Sequence, residues 1–253
     1  MDWPAEATRA GMAALGVIAL ALAVATVASA RRPSTAVAGL DGFVQRWSQV
    51  HGGYDPSHSV WVRGWLAGVY RLARPLARLG VNPNVLTAWT AWLAMAVLLA
   101  AAAGGRWRML AGWLLVVSGL FDSLDGAVAV LTHRTSRWGY VLDSMVDRLN
   151  EIIFVAAVVV VGAPPALGVA CGAMVVLLEY LRARGSNAGG GDIGTITVGE
   201  RPNRVALCAV GIHFSGVFLD SAPAIATASL GLLTILSLAG LAQLLVAVRR
   251  QLI

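Results

Sequence analysis

The sequence predicts an all-α integral membrane protein with seven membrane-crossing segments and one amphipathic helix in the headgroup layer. Three observations lead there. Of 253 residues, 58% are hydrophobic and only 13% are charged, and the mean hydropathy is +0.73. The apolar residues gather in several runs that approach the ~20 needed to cross a bilayer. The arginines stand at the ends of those runs.

The same composition excludes several functions. All nineteen basic residues are arginine, so no lysine amine is available as a base or Schiff-base former. The arginines are dispersed rather than gathered with aromatic residues on one soluble face, which speaks against nucleic-acid binding. Cys171 and Cys208 fall inside apolar stretches without metal-ligand spacing, so they read as small apolar side chains rather than as a disulfide or zinc ligands.

The first span is Gly11 to Ala30, followed by Arg31-Arg32-Pro33. Its Ala28-Ser29-Ala30 end resembles a signal-peptidase site. The segment before it is not basic, carrying Asp2, Glu6 and Arg9, and the arginine pair follows the apolar run. That charge order fits an uncleaved anchor with its N-terminus outside. From Pro33 to Val60 the chain is polar and glycine-rich, predicting a loop with at most one short helix and carrying little functional signal. Trp61 to Leu79 interleaves Trp61, Trp65, Leu66, Val69, Leu72 and Leu76 with Arg63, Arg71, Arg74 and Arg78. This is the pattern of a helix lying in the interface, or of a solvated helix packed on protein.

Six more spans follow, at about Val85 to Ala103, Trp107 to Leu131, Trp138 to Val161, Pro165 to Leu181, Val205 to Leu219 and Ala224 to Val248. Most of the nine tryptophans fall near span ends, as an interfacial belt does. Placing Arg71, Arg74, Arg78, Arg134, Arg137, Arg182, Arg184, Arg201, Arg204, Arg249 and Arg250 on one side leaves chiefly Arg9, Arg106 and Arg108 opposite. By the positive-inside rule the first group faces the cytoplasm.

The chemistry-bearing residues are four aspartates. Asp122 and Asp125 are three residues apart near the end of one span, and Asp143 and Asp147 four apart near the start of the next. Each pair projects from one helix face. A turn of Thr132 to Arg137 joins the two helices, so they run antiparallel and the acidic faces meet at one depth. Ionised groups at the margin of an apolar run cost several kcal/mol unless paired or bound to a cation. Four carboxylates so close repel unless divalent cations lie between them, and oxygen-only ligation favours Mg²⁺ or Mn²⁺ over zinc. Gly126, Gly139 and the small Ala129 suit close backbone approach by a ligand, although such residues also pack helices in membranes.

The spacing D-x-x-D-G-x-x-A followed by G-x-x-x-D-x-x-x-D, over about 26 residues from Asp122 to Asp147, resembles the signature of the CDP-alcohol phosphatidyltransferases. Pro83-Asn84-Val85-Leu86-Thr87 is similar to the segment opening that family's first core helix. The resemblance runs from about Tyr70 to the C-terminus. It implies a six-helix transmembrane core preceded by the amphipathic helix, residues 61–253, with residues 1–60 forming an extra N-terminal transmembrane helix and a polar linker. It further implies transfer of a phosphatidyl group from a CDP-activated lipid to a small alcohol, releasing CMP, on two metal ions. Asp122, Asp125, Asp143 and Asp147 would be metal ligands, and Asp147 also the general base. Asn84, Thr87, Gly126, Ala129, Ser136 and Gly139 would lie at the CDP-lipid. Related enzymes with this core are commonly dimers, so a homodimer is implied as well.

One position departs from the family pattern. Val130 stands where an arginine is usual, which would counter phosphate charge; Arg134 and Arg137 are the candidate replacements. The departure also allows a catalytically weakened binding subunit. For the acceptor, Tyr180-Leu-Arg182-Ala-Arg184 and Glu200-Arg201-Pro202-Asn203-Arg204 look like stretches of the phosphatidylinositol-phosphate synthases. Arginine forks suit phosphate oxygens, so Arg182, Arg184, Arg201 and Arg204 are the candidate binders of an inositol phosphate, with glycerol phosphate as the alternative. Glu151 is expected to hold Arg148, and Glu179 to pair with Arg182. A divalent-cation transporter is the competing class, but a channel needs polar residues along a whole path, and these carboxylates cluster at one face.

Overall fold

The computed structural model describes residues 5–30, 39–50, 55–56, 59–190 and 195–253. Among them there is no strand, and the order is α1 (Ala5–Ser29), α2 (Leu40–Val50), α3 (Val60–Leu79), α4 (Pro83–Ala103), α5 (Trp107–Leu131), α6 (Arg137–Val161), α7 (Pro165–Gly185), α8 (Arg201–Val217) and α9 (Ala222–Leu252). Asp2 and the Arg31-Arg32-Pro33 closure lie outside the described residues. The loop expected over residues 33–60 contains one short helix, α2.

All seven expected spans form helices. Ala10–Ser29, Pro83–Ala103, Trp107–Leu131, Pro165–Gly189 and Leu219–Leu252 are long and apolar enough to cross a membrane. Helix α6 has 25 residues and carries Asp143, Asp147, Arg148 and Glu151 toward its N-terminal end. Helix α8 has 17 residues, at the short end of the range that crosses a bilayer.

The chain divides into two compact units. Unit two comprises Leu15–Trp92 and Ser118–Asp147; unit one comprises Met1–Ala14, Leu93–Val117 and Arg148–Ile253.

In unit two the amphipathic pattern of α3 becomes a buried face of Leu66, Val69, Tyr70, Ala73 and Ala77, while Arg63, Arg71, Arg74 and Arg78 are exposed. The helix starts at Ser59, whose hydroxyl accepts from the Val62 N–H, and stops at Gly80, whose φ of 74° is the left-handed conformation glycine adopts without strain. The α3 face packs with Phe43 of α2 and with Leu124, Ala127, Val128, Val130 and Leu131 of α5. Helix α1 is fastened by indole donors of α4: Trp89 Nε1 donates to Thr26 Oγ1 at 3.1 Å and Trp92 Nε1 to the Leu15 carbonyl at 2.8 Å. These two tryptophans thus serve inside the protein, whereas Trp61, Trp107 and Trp138 are exposed at helix starts as an interfacial belt requires.

The turn between α5 and α6 is held at both ends. His133 takes a φ of 54°, the Arg134 N–H returns to the Ala129 carbonyl at 2.9 Å, and Arg134 Nη1 donates to the Gly80 carbonyl at 2.9 Å. Ser136 then caps α6, its Oγ accepting from the Gly139 N–H at 3.0 Å.

Unit one is organised around an apolar cluster that includes Ala111, Leu115, Phe154, Val158, Cys171, Cys208, Ile212 and Leu230. Both cysteines are buried free thiols, as their apolar setting predicted. Close approach relies on small residues, as is usual for helices in membranes. A Cβ on Gly112 of α5 would lie 2.6 Å from His213 Cβ and 2.9 Å from the Ala209 carbonyl oxygen of α8.

Gly112→Val should therefore force α5 and α8 apart and destabilise the protein by about 1–3 kcal/mol. Thermal unfolding in detergent checks this, with Gly172→Ala, where an added Cβ meets nothing within 4 Å, expected to leave the midpoint unchanged or slightly raised.

Candidate active site

The carboxylates of unit two converge as their spacing required. Oxygens of Asp122, from the last turns of α5, and of Asp143 and Asp147, from the first turns of α6, all lie within 4.8 Å of one another. All three side chains are half-buried. At an effective dielectric constant of about 20, two negative charges at that separation repel by roughly 3 kcal/mol. A donor set made only of carboxylate oxygens, at that spacing, fits a hard divalent cation such as Mg²⁺ or Mn²⁺.

Asp125 stands outside this group of three. It is 4% exposed, and both its oxygens are engaged: Thr87 Oγ1 donates to Oδ2 at 2.7 Å, and the Gly126 N–H donates to Oδ1 at 2.6 Å. Thr87, expected beside the nucleotide, is thus a partner that orients Asp125. The other residues expected at the CDP-lipid are partly assembled. A Cβ on Gly139 would lie 3.1 Å from Ser136 Oγ and 3.5 Å from Asn84 Oδ1, which places these three together. Gly126 is exposed and has open space where a Cβ would stand, and Ala129 is half-buried.

Asp122, Asp125, Asp143 and Gly126 line a cavity of about 260 Å³ whose opposite wall is Phe43 and Trp47 of α2 with Trp65, Leu66 and Val69 of α3. The sequence reading gave α2 no role here. Its signal was present, because Leu40, Phe43, Val44 and Trp47 repeat at helical spacing, but the flanking glycines and polar residues diluted it. Val130 is 5% exposed within the apolar cluster of unit two. Of its candidate replacements, Arg134 is drawn to Gly80, and Arg137 is exposed at the start of α6.

The arginines expected to bind an acceptor phosphate belong to unit one, where Arg204 and Arg182 pair with carboxylates. Arg204 is 2% exposed; its Nε donates to Glu151 Oε1 at 2.6 Å, its Nη2 to Glu179 Oε1 at 2.9 Å, and its Nη1 to the Gly199 carbonyl. Arg182 donates to Glu200 Oε1 at 2.7 Å and to the Thr195 carbonyl. Arg148 bridges Glu151 at 2.8 Å and Glu179 at 3.0 Å. The pairings expected for Glu151 with Arg148 and for Glu179 with Arg182 are both present, the latter at 3.9 Å. Sequence spacing showed those neighbours along one helix but not Arg204, which reaches Glu151 from 53 residues away. Arg184 is exposed and Arg201 half-buried.

A family model described as CDP-alcohol phosphatidyltransferase matches residues 80–249. Archaetidylinositol phosphate synthase of Pyrococcus horikoshii is 30% identical over 165 residues, covering 58% of this chain and 77% of that protein. Phosphatidylinositol phosphate synthase of Mycolicibacterium smegmatis is 31% identical over 199 residues, covering 72% of this chain and 86% of that protein. Among solved structures, the phosphatidylinositol phosphate synthase of Mycobacterium tuberculosis in complex with manganese and citrate shares the fold, with a TM-score of 0.58 and 24% identity over 72% of this chain and 88% of that one.

Removing Arg204 leaves Glu151 and Glu179 without their buried partner, a loss of about 3–5 kcal/mol for a buried ion pair. Arg204→Ala is expected to lower the thermal midpoint strongly, and Arg204→Lys to recover only part of it, because an ammonium cannot reproduce the fork that reaches both carboxylates.

Proposed function

This chain belongs to the CDP-alcohol phosphatidyltransferase family, and from that membership we propose that it transfers a phosphatidyl group from CDP-diacylglycerol to the hydroxyl of inositol phosphate, with release of CMP. The observation that carries the proposal is the convergence of Asp122, Asp143 and Asp147 within 4.8 Å at one end of α5 and α6. The acceptor is supported by the names of the relatives in Pyrococcus horikoshii and Mycolicibacterium smegmatis, both of which are inositol phosphate lipid synthases.

In this reading Asp122, Asp125, Asp143 and Asp147 hold two divalent cations, Mg²⁺ or Mn²⁺. Bound there, such ions supply charge neutralisation for the diphosphate of the donor. Thr87 fixes the rotamer of Asp125, as partners of ligating carboxylates commonly do. Asp147 takes the proton from the acceptor hydroxyl as its oxygen attacks the lipid-side phosphorus, and the bond from that phosphorus to CMP breaks. Asn84, Gly126, Ala129, Ser136 and Gly139 line the path of the nucleotide, and Arg137 supplies the positive charge that Val130 lacks.

The acceptor phosphate is assigned to the group Arg182, Arg184, Arg201 and Arg204, in which the pairing of Arg182 with Glu200 and of Arg204 with Glu151 and Glu179 holds the guanidiniums in place. Residues 61–253 form the catalytic membrane domain and residues 1–60 an N-terminal extension. The active site faces the cytoplasm, on the excess of arginine at that end, and the assembly is a homodimer, on the family resemblance.

In lipid nanodiscs the protein should form CMP from CDP-diacylglycerol only when Mg²⁺ or Mn²⁺ and an acceptor are both present. Removing a catalytic acid or base typically costs 10²–10⁴-fold, so Asp147→Asn is expected to lose at least about 100-fold. Inositol phosphate should outperform glycerol phosphate and serine in the same assay. Equal CMP formation by the unmodified protein and Asp147→Asn contradicts the proposal, and preference for another acceptor corrects the substrate.

A further inference from the structure

The cavity holding the aspartates has two unlike walls. One is acidic, with Asp122, Asp125 and Asp143 beside Gly126; the other is apolar and largely aromatic, with Phe43, Trp47 and Trp65. Phe43 and Trp47 come from α2, within Leu40–Val50, and so lie before the segment 80–249 that matches the family model. This element is no loose tail. Phe43 is wholly buried, its ring 5.7 Å from that of Tyr70 on α3, and α1, which precedes it, is bonded through Ser29 to the backbone N–H of Asn82 at 3.1 Å.

With divalent cations held by the aspartates, as proposed above, such a cavity suits an occupant that is anionic at one end and apolar at the other. The donor assigned above has its diphosphate between two substituents, a cytidine and a diacylglycerol. Asn84, Ser136 and Gly139, assigned to the nucleotide, are grouped together at the starts of α4 and α6 and do not line this cavity, which of the nucleotide residues includes Gly126, next to Asp125. With the nucleotide meeting the cavity at Gly126 and extending among Asn84, Ser136 and Gly139, the aromatic side chains are left for the lipid. We propose that α2 of the N-terminal extension is a specificity element of the active site, with Trp47 of α2 and Trp65 of α3 contacting the first acyl carbons of the CDP-lipid. This rests on the donor assignment made above. Indole rings suit the position, since they present apolar area while tolerating the wet boundary next to a headgroup. Trp47 is half-buried and Trp65 is 53% exposed, so both have surface to give to a ligand.

The test compares CDP-diacylglycerol with CDP-glycerol, the same donor without acyl chains. For Trp47→Ala and, independently, Trp65→Ala, equilibrium binding of each ligand and the KM for CDP-diacylglycerol are measured in nanodiscs. Loss of this apolar contact should weaken CDP-diacylglycerol binding and raise its KM by about tenfold, while CDP-glycerol affinity and the acceptor KM stay within about twofold of the unmodified protein. Trp65→Ala sits at an exposed position and guards against misfolding of the Trp47 variant. An equal loss for CDP-glycerol overturns the inference, because the wall would then touch the nucleotide. Unchanged binding of both donors also overturns it. If the unmodified protein binds neither donor and forms no CMP, the donor assignment itself fails, an outcome distinct from either of these.

Discussion

Three carboxylates held within 4.8 Å of one another repel, and everything around them in unit two is arranged so that they stay there. The second half of α5 and the first turns of α6 are locked by a turn with a left-handed His133, an Arg134 bond to the Gly80 carbonyl and a Ser136 cap. Gly80 is in turn the C-cap of α3, whose apolar face packs on α5. The amphipathic helix is therefore both the interfacial element and the brace of the acidic turn. Such a scaffold holds like charges together at a cost that a bound divalent cation would offset, and that constraint is what makes the phosphoryl chemistry of the family intelligible on this chain.

Charge in unit one is handled in the opposite way. Arg204 is buried but fully matched, by Glu151, Glu179 and a backbone carbonyl, and Arg148 and Arg182 close the network around the same carboxylates. A buried pair of this kind contributes little net stability over an apolar alternative, yet breaking it exposes the full desolvation cost. It fixes geometry, here the ends of α7 and α8.

The fold was largely legible because membrane helices announce themselves through long apolar runs. The boundaries of α3, α5 and α9 fall within a few residues of those the sequence predicted. The break in the apolar run of α6 has a physical cause, since that helix carries the charged residues of the site. The aspartates were legible because spacing of three and four residues places side chains on one helix face. Whether each aspartate turns toward the others or away was not, since that depends on Thr87, a hydroxyl 38 residues distant in sequence. The carboxylate partners of Arg204 were hidden for the same reason, being remote along the chain. The aromatic side of α2 was visible only as a four-residue pattern, and nothing in the sequence tied it to the aspartates.

The most direct test of the central claim is manganese binding by electron paramagnetic resonance, with the protein in nanodiscs and no substrate present. The account predicts stoichiometric Mn²⁺ bound to the unmodified protein and an affinity reduced by more than about 100-fold when Asp122 and Asp143 are both changed to asparagine. Retention of the same Mn²⁺ affinity by that double variant would contradict it.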